Sequence, residues 1–551
     1  MKRPGWLPVR EEALPAFASA ALFLSAFPPF RLLLPAFLTL VPVSIVVARK
    51  VDAGEPARAS FRFGFWFGAM AYGMSLYWIA IALSIYTKLS FLGYIGAVLV
   101  MAPVVAATVA ALHVARRSTR LPFALLLPVV WTASEVVINY MSDLAFPWLP
   151  LGLATARFPT LAQIADLSGV RGVSFWIAAS AGLLADAWLL RAERRKALVR
   201  LSAVVVLAAV VAGYGRWRLH SIATQPVAPI AIVQPNIPQE EKWQKENQDR
   251  IVTMLANLTR QGMQTGEPRL VVWPEVALPG YLVQNPDWAD TLRALSAPTR
   301  TPILFGVLDV EFLSMPAPSG PQEYEVFNAA MTTDSTGAIA PQGPYRKEFL
   351  VPVVERVPFL DPDWFKGLRY FGGFGRGEDQ PPFRYAFGDA GILICYESIF
   401  PQLSREYRRG GAEILVNITN DAWFGRSIAP YQHEAHLALR AIENRVGIVR
   451  AANTGISTYV DPLGRFQGET GLETSASRTY QVHTSPVTTL FVRLGDWVGT
   501  GSLLATVALV VAARVRRRRD QGLGLVVDDQ PHGQHDCQQC EQIDGETGHE
   551  H

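Results

Sequence analysis

Eight long apolar stretches, seven of them crowded into the first 215 residues, restrict this chain more than any other feature. A helix needs about 20 mostly apolar residues to cross the hydrocarbon core of a bilayer. Stretches of that kind lie near 11–29, 31–48, 62–86, 91–115, 122–140, 171–190 and 198–215, with a last one near 492–513. Several carry Pro and Gly, as in LLLPAFLTLVPVSIVVA, which membrane helices tolerate better than soluble ones. Composition agrees: 18% of residues are charged, against about 25% in a soluble chain.

The charges say which way the helices run, because Arg and Lys gather on the cytoplasmic side of spanning segments. Lys2, Arg3 and Arg10 precede the first stretch. Arg49, Lys50, Arg58 and Arg62 follow the second, and Arg116, Arg117 and Arg120 follow the fourth. Arg191, Arg194, Arg195, Lys196 and Arg200 follow the sixth, and Arg514 and Arg516 to Arg519 follow the last. The intervening loops hold little more than Arg31, Lys88, Arg157 and Arg171. This alternation predicts eight spans, both termini in the cytoplasm, and the segment between spans seven and eight outside. The competing reading of the first span is a cleaved signal peptide with AFASA as its small-residue site. It fits less well, because those small residues sit inside the apolar run and cleavage would spoil the alternation.

Residues 220–488 have another character. Short apolar runs at 229–237, 269–278, 302–310, 391–398, 412–420 and 446–453 read as strands, and 245–262 and 429–445 carry helical patterns. Strands alternating with helices predict an α/β or layered domain. The expected division is therefore a helical membrane domain at 1–219, a catalytic domain at 220–488, a C-terminal span with a basic flank at 489–519, and a polar tail at 520–551. The chain has 3 cysteines, Cys395, Cys537 and Cys540. The last two form a CxxC near histidines, which reads as a zinc ligand set or as unstructured tail; one CxxC without a second pair favours the tail.

Three segments carry candidate chemistry. In GILICYES an apolar strand stops at Cys395, followed by Tyr396 and Glu397. The cysteine alone is core filler or a nucleophile; Glu397 beside it favours the nucleophile, since such a residue is seldom buried without purpose. In VVWPEVALPG a strand ends at Glu275, a surface turn residue or a general base whose pKa shielding from water would raise. In YRKEFLVPVVERVPF, Lys347 and Glu355 flank an apolar run. A lysine there would favour a thiolate and stabilise an oxyanion, or the segment is a charged loop. HEAH at 433–436 lacks the H-E-x-x-H spacing that sets two histidines on one helical face, so no metal site is expected. Trp66, Trp78 and Trp148 read as anchors or packing residues. Glu135, costly within a lipid-crossing helix, is expected to pair with Arg or to face the bundle interior.

Together, WPE, the Lys before LVP…E, and CYE resemble the Glu–Lys–Cys triad of the nitrilase superfamily. With membrane helices on both sides, the chain is similar to the apolipoprotein N-acyltransferase family. The resemblance runs through FPWLPLG (146–152), VQPNIPQEEKW (233–243), NDAWFGRSIAPYQH (420–433) and AANTGIS (451–457). It implies a multi-pass membrane domain joined to an αββα sandwich. It implies Glu275 as base, Lys347 as stabiliser of the tetrahedral intermediate and Cys395 as the thioester-forming nucleophile. Glu355, Tyr396 and Glu397 would support the site, and Trp243 would lie near the substrate entrance. The chain departs from the family pattern around Glu355, where Phe349, Val353 and Val354 differ.

The activity so implied moves an acyl chain from a phospholipid, typically phosphatidylethanolamine, to the α-amine of the diacylglyceryl-cysteine of an apolipoprotein. No cofactor and no nucleic-acid partner are implied. The location implied is the bacterial inner membrane, with the catalytic domain periplasmic. FLDPDWFKGLRYFGGFGRG (359–377) sets Trp364, Phe365, Tyr370, Phe371 and Phe374 among glycines. It reads as a lid reaching toward the bilayer or as a loop packed on its own domain. The rival functions are a membrane-anchored nitrilase-type amidohydrolase, for which a single anchor would suffice, and a non-enzymatic receptor, which would have no use for a triad.

Overall fold

Proline governs how the first apolar stretches fold in the computed structural model, which describes residues 7–85, 87–312, 324–361, 364 and 373–527, the side chains of 520–527 excepted. Helix α1 (Arg10–Ala26) ends just before Pro28 and Pro29, and α2 (Leu34–Leu38) gives way to α3 (Val41–Asp52), which has Pro42 in its first turn. A proline has no N–H to donate and fits best at a helix start, although α1 carries Pro15 in its interior, as membrane helices tolerate. Helices α4 (Ala57–Ser75) and α5 (Trp78–Ser84) are bent by 53° at their junction. Then follow α6 (Ser90–Thr119), α7 (Phe123–Asn139), α8 (Pro159–Ala162), α9 (Ala165–Leu189) and α10 (Arg194–Ser221).

Every expected span contains a helix, but the count of eight is corrected. Among the described residues five helices are long and apolar enough to cross a membrane, or six if the bent pair α4–α5 is one span. The shortfall lies in length and charge. Helix α1 has 17 residues and opens on Arg10, Glu11 and Glu12, and α7 has 17 residues. The bundle closes tightly where side chains are absent. A Cβ on Gly64 would stand 2.8 Å from Val109 Cβ and 2.9 Å from Ala106 Cα, so α4 and α6 touch through backbone, as small-residue pairs in membranes allow. Glu135 faces the bundle interior, accepting from Leu151 N at 2.8 Å and Trp131 Nε1 at 3.2 Å.

The second region forms two six-stranded sheets. Its strands are β1 (Gln225–Gln234), β2 (Leu270–Val272), β3 (Ile303–Phe312), β4 (Tyr324–Thr332), β5 (Tyr345–Arg346), β6 (Phe383–Tyr385), β7 (Gly388–Ile394), β8 (Ile414–Thr419), β9 (Gly447–Ala452), β10 (Thr458–Val460), β11 (Phe466–Gln467) and β12 (Ala476–Thr484). One sheet runs β12-β1-β2-β3-β4-β5 and the other β11-β10-β9-β8-β7-β6. Each is built on three parallel strands, β1–β3 and β7–β9, with antiparallel strands outside them. Helices α11 (Gln239–Lys242), α12 (Gln248–Gly266) and α13 (Pro286–Thr299) belong to the first half, and α14 (Pro401–Arg409) and α15 (Ala429–Asn444) to the second. Leu255 and Leu292, from α12 and α13, pack on Val271 and Phe305 of the first sheet. The layers are thus helix, sheet, sheet, helix. Helices α16 (Leu490–Leu494) and α17 (Trp497–Val527) return to the bundle.

The two regions share one core. Tyr396, Ile399 and Phe400 belong to the same apolar cluster as Trp148 and Phe146 of the loop after α7. Helix α9 breaks at Gly169 (φ 70°, ψ −174°), and the freed Val170 N–H donates to Glu443 Oε1 of α15 at 2.8 Å. The CxxC of the tail lies outside the described residues, as do Phe365, Tyr370 and Phe371 of the 359–377 stretch. Of its described aromatics, Trp364 is exposed and Phe374 is buried against Val276 and Leu308.

Candidate active site

Each candidate residue stands just beyond a strand. Glu275 occupies the turn after β2, and Gly306 of β3 lets that turn come close: a Cβ there would meet Glu275 Cα at 2.6 Å. Lys347 follows β5, its N–H donating to Asn328 O of β4 at 2.8 Å. Cys395 follows β7 and opens the 3-10 turn Cys395–Ile399 with φ 52°. That left-handed value is uncommon for a residue with a side chain. It turns the chain sharply and presents Cys395 to the space between the sheets' ends and the bundle.

The three side chains line one cavity of about 370 Å³, together with Glu355, Tyr396 and Trp243. Glu275 Oε1 accepts from Asn328 Nδ2 at 2.7 Å and lies 3.6 Å from Lys347 Nζ; its Oε2 accepts from Asn420 N at 2.7 Å. Lys347 Nζ donates to Glu355 Oε1 at 2.9 Å, and Asn328 Nδ2 also donates to Glu355 at 2.9 Å. Asn328 thus clamps both carboxylates. Glu397 is pinned by Tyr345 OH at 2.8 Å and by the N–H groups of Glu348, Phe349 and Ile394. It joins the Cys395 turn to the Lys347 loop. Tyr396 OH donates to Ala145 O at 2.5 Å, tying the turn to the membrane domain.

Electrostatics divides the labour. Burial pushes the Cys395 thiol well up, Glu275 and Asp421 push it further, and Lys347 and the Thr419 hydroxyl only partly oppose them. The resting group is therefore a thiol and needs a base at the moment of attack. For Lys347, burial works against the charge, but Glu355, Glu275 and Cys395 more than reverse it and the pKa is raised. It is an ammonium at neutral pH, able to meet negative charge but not to take a proton. Burial pushes Glu397 up to about 7 against the opposing pull of Lys347 and its backbone donors. Lys242, buried behind Glu275, donates to Glu275 O at 3.2 Å, and burial lowers it to about 8.

The cavity does not stop at the sandwich. It continues between α5 and α6, lined by Ile79, Leu83, Gly93, Ala97 and Val100, and Gly96 at that end is exposed. A family model described as carbon-nitrogen hydrolase matches residues 229–488, and one described as the apolipoprotein N-acyltransferase N-terminal domain matches 19–183. A Geobacter metallireducens protein named apolipoprotein N-acyltransferase is 34% identical over 522 residues, covering 92% of this chain and 96% of that one. This chain belongs to the apolipoprotein N-acyltransferase family. A Chlorobaculum tepidum member is 31% identical over 88% of this chain and 92% of its own. Among solved structures, an amidase from Nesterenkonia sp. aligns with a TM-score of 0.32 at 19% identity, over 50% of this chain and 95% of its own. A carbon-nitrogen hydrolase from Helicobacter pylori G27 aligns with a TM-score of 0.33 at 17% identity, over 47% and 89%. With bacterial relatives and helices long enough to span a bilayer, the chain is a bacterial membrane protein of this family.

The structure brings Glu275, Lys347, Cys395, Glu355, Tyr396 and Trp243 to one cavity and sets Glu397 behind it. Of the residues expected to depart from the family pattern, Val353 and Val354 line the cavity, and Val353 takes φ 70°, rare for a β-branched side chain. Trp78 and Trp148, expected as anchors or packing residues, are buried with ring centroids 4.8 Å apart, and they also form part of the cavity wall. Asn328 and Asn420 were not foreseen. Asn328 sits mid-strand in a run without a motif, whereas Asn420 opens NDAWFG and was within reach.

Proposed function

We propose that this protein transfers a fatty acyl group from a membrane phospholipid to the N-terminal α-amine of a diacylglyceryl-cysteine apolipoprotein, through an acyl-thioester on Cys395. The observation that carries the reading is the single cavity that holds Cys395, Glu275 and Lys347 at one end and runs between membrane helices at the other. An acyl chain can lie in the apolar end while its ester meets the thiol. Glu275 takes the Cys395 proton as sulfur attacks the carbonyl, and Lys347 faces the oxyanion. Collapse expels the lysophospholipid oxygen, which recovers the proton from Glu275. The incoming amine attacks the thioester, gives its proton to Glu275, and the thiol is restored. Such a sequence is ping-pong. Free α-amines have a pKa of about 7.7–8.0, so a usable fraction is neutral near pH 7.

The donor headgroup favoured by family resemblance is phosphatidylethanolamine. In this reading the protein is a multi-pass protein of the bacterial inner membrane. Its membrane domain is 1–219, its catalytic domain 220–488 is periplasmic, a last span and basic flank occupy 489–519, and the tail 520–551 and both termini are cytoplasmic. The basic loops support that orientation when all eight apolar stretches, those of α1 and α7 included, are taken as crossing. The test is mass spectrometry of the Cys395 peptide after incubating the full-length protein with phosphatidylethanolamine and no acceptor. A fatty-acyl adduct removed by a diacylglyceryl-cysteine peptide is expected. An enzyme that turns over donor without ever carrying that adduct would sink the covalent route.

A further inference from the structure

The strained turn at Cys395 is held from behind by a side chain outside the triad. The Cys395 carbonyl oxygen accepts from His433 Nε2 at 2.9 Å, from Ser398 Oγ at 3.0 Å and from Asn417 Nδ2 at 3.5 Å. A carbonyl offers only lone pairs, so Nε2 carries the proton. His433 Nδ1 lies 3.1 Å from Asp421 Oδ1 and 3.2 Å from Arg450 Nη2. Arg450 in turn reaches Asp421 Oδ2 and Asn417 Oδ1, each at 2.6 Å. One guanidinium thus ties together two of the side chains that hold this carbonyl. All four are fully or almost fully buried. Such a network is costly unless satisfied and rigid when it is.

Its use follows from peptide planarity. In a trans peptide the C=O and the next N–H point in opposite directions. Fixing the Cys395 carbonyl toward His433 aims the Tyr396 N–H the other way. That N–H belongs to the first turn of a helical segment, where no acceptor exists within the turn. No hydrogen bond from it is found among the described residues. A preorganised backbone N–H beside a nucleophile is suited to a developing oxyanion.

We propose that His433 is a positioning residue: by holding the Cys395 carbonyl it sets the Cys395–Tyr396 peptide plane, so that the Tyr396 N–H meets the oxyanion together with Lys347. This rests on the acyl-transfer reading of the site. It also gives His433 a role distinct from its neighbour on α15, since His436 is turned to Trp148 O at 2.9 Å.

Three variants of the full-length protein test it. His433→Gln places an amide N–H where Nε2 stands. His433→Asn stops at the position of Nδ1, short of the carbonyl, and His433→Leu offers no donor. Two rates are read: acyl-thioester formation on Cys395 in phosphatidylethanolamine nanodiscs, and alkylation of Cys395 by iodoacetamide in detergent, a displacement that forms no oxyanion. The Leu and Asn variants are expected to slow thioester formation at least about 30-fold, as loss of an oxyanion donor does, while alkylation changes less than about threefold. The Gln variant should stay within about fivefold of wild type in both. Wild-type acylation by Leu and Asn, equal loss of both rates, or a Gln variant no better than Asn would each overturn the proposal. If the Leu variant does not fold, the Gln–Asn pair decides. A wild-type protein that never acylates Cys395 would remove the acyl-transfer reading and this role with it.

Discussion

Glu275 and Lys347 act on the Cys395 thiol with opposite sign, and that opposition can be measured. The negative charge of Glu275 disfavours the thiolate, whereas the ammonium of Lys347 favours it. In Glu275→Gln the pH midpoint for alkylation of Cys395 should therefore move down; in Lys347→Met it should move up. In the proposed mechanism one variant loses the base and the other the oxyanion cation, so acyl transfer should fall by at least about a thousandfold in both. A midpoint that moves the same way in both variants would mean that charge does not govern the thiol. Glu275 and Cys395 stood out in the chain because each closes an apolar run, whereas Lys347 precedes one and stood out only through the family resemblance. The partners that tune them did not stand out. Asn328 and Arg450 sit inside strands whose neighbours give no sign, and only the pairing of β4 with β5 and of β8 with β9 brings them to the site.

At the scale of elements, the buried parallel strands were visible and the outer ones were not. Strands β1–β3 and β7–β9 are covered on both faces and so read as continuous apolar runs. Strands β4 to β6 and β10 to β12 are mostly shorter or half exposed, and their alternation is lost among turns. The membrane helices show the converse. Apolarity marked where they lie, but the length needed to span was overread at α1 and α7. Helix contact is written in glycines. Gly64 faces Ala106 and Val109, whereas a Cβ on Gly213 of α10 would meet nothing within 4 Å. Gly64→Val should push α4 from α6 and lower the unfolding temperature in detergent by about 5 °C or more, the scale of an overpacked core. Gly213→Ala should leave it unchanged or raise it slightly, since alanine is the better helix former. Equal effects at the two positions would mean that the α4–α6 contact contributes nothing to stability.

For the whole molecule, one of the four basic residues that break the charge alternation, Arg157, joins the two halves. Arg157, in the loop before α8, and Arg171, near the start of α9, fall where positive charge should be sparse. Arg157 reaches Glu434 Oε2 of α15 at 2.5 Å and Glu469 at 2.7 Å, and its guanidinium lies 3.7 Å from the Phe466 ring centroid. Arg171 reaches Asp496, just before the last helix, at 2.6 Å. Arg157 thus meets acids of the sandwich and Arg171 an acid of the C-terminal segment, so the bundle and the sandwich are tied through Arg157 as well as joined by chain. Glu434 has no exposed side-chain surface, so at a pH where it is ionised removing Arg157 strands a charge, which costs about 3–5 kcal/mol. Arg157→Gln should therefore lower the unfolding temperature, and adding Glu434→Gln should recover at least half of the loss. The penalty should depend on pH. Burial pushes Glu434 up to about 8 even with Arg157 present, far above its value of about 4.3 in an unfolded chain. The folded state then binds the extra proton between those values, so this residue's contribution to stability falls as pH rises across that window. Without Arg157 the carboxylate is harder still to ionise. The variant should lie closest to wild type near pH 5.5, where Glu434 keeps its proton in the folded state of both, and furthest below it at or above pH 8. A penalty equal at the two pH values would show that Arg157 does not act through the charge of Glu434, and the docking would then rest on its stacking over Phe466.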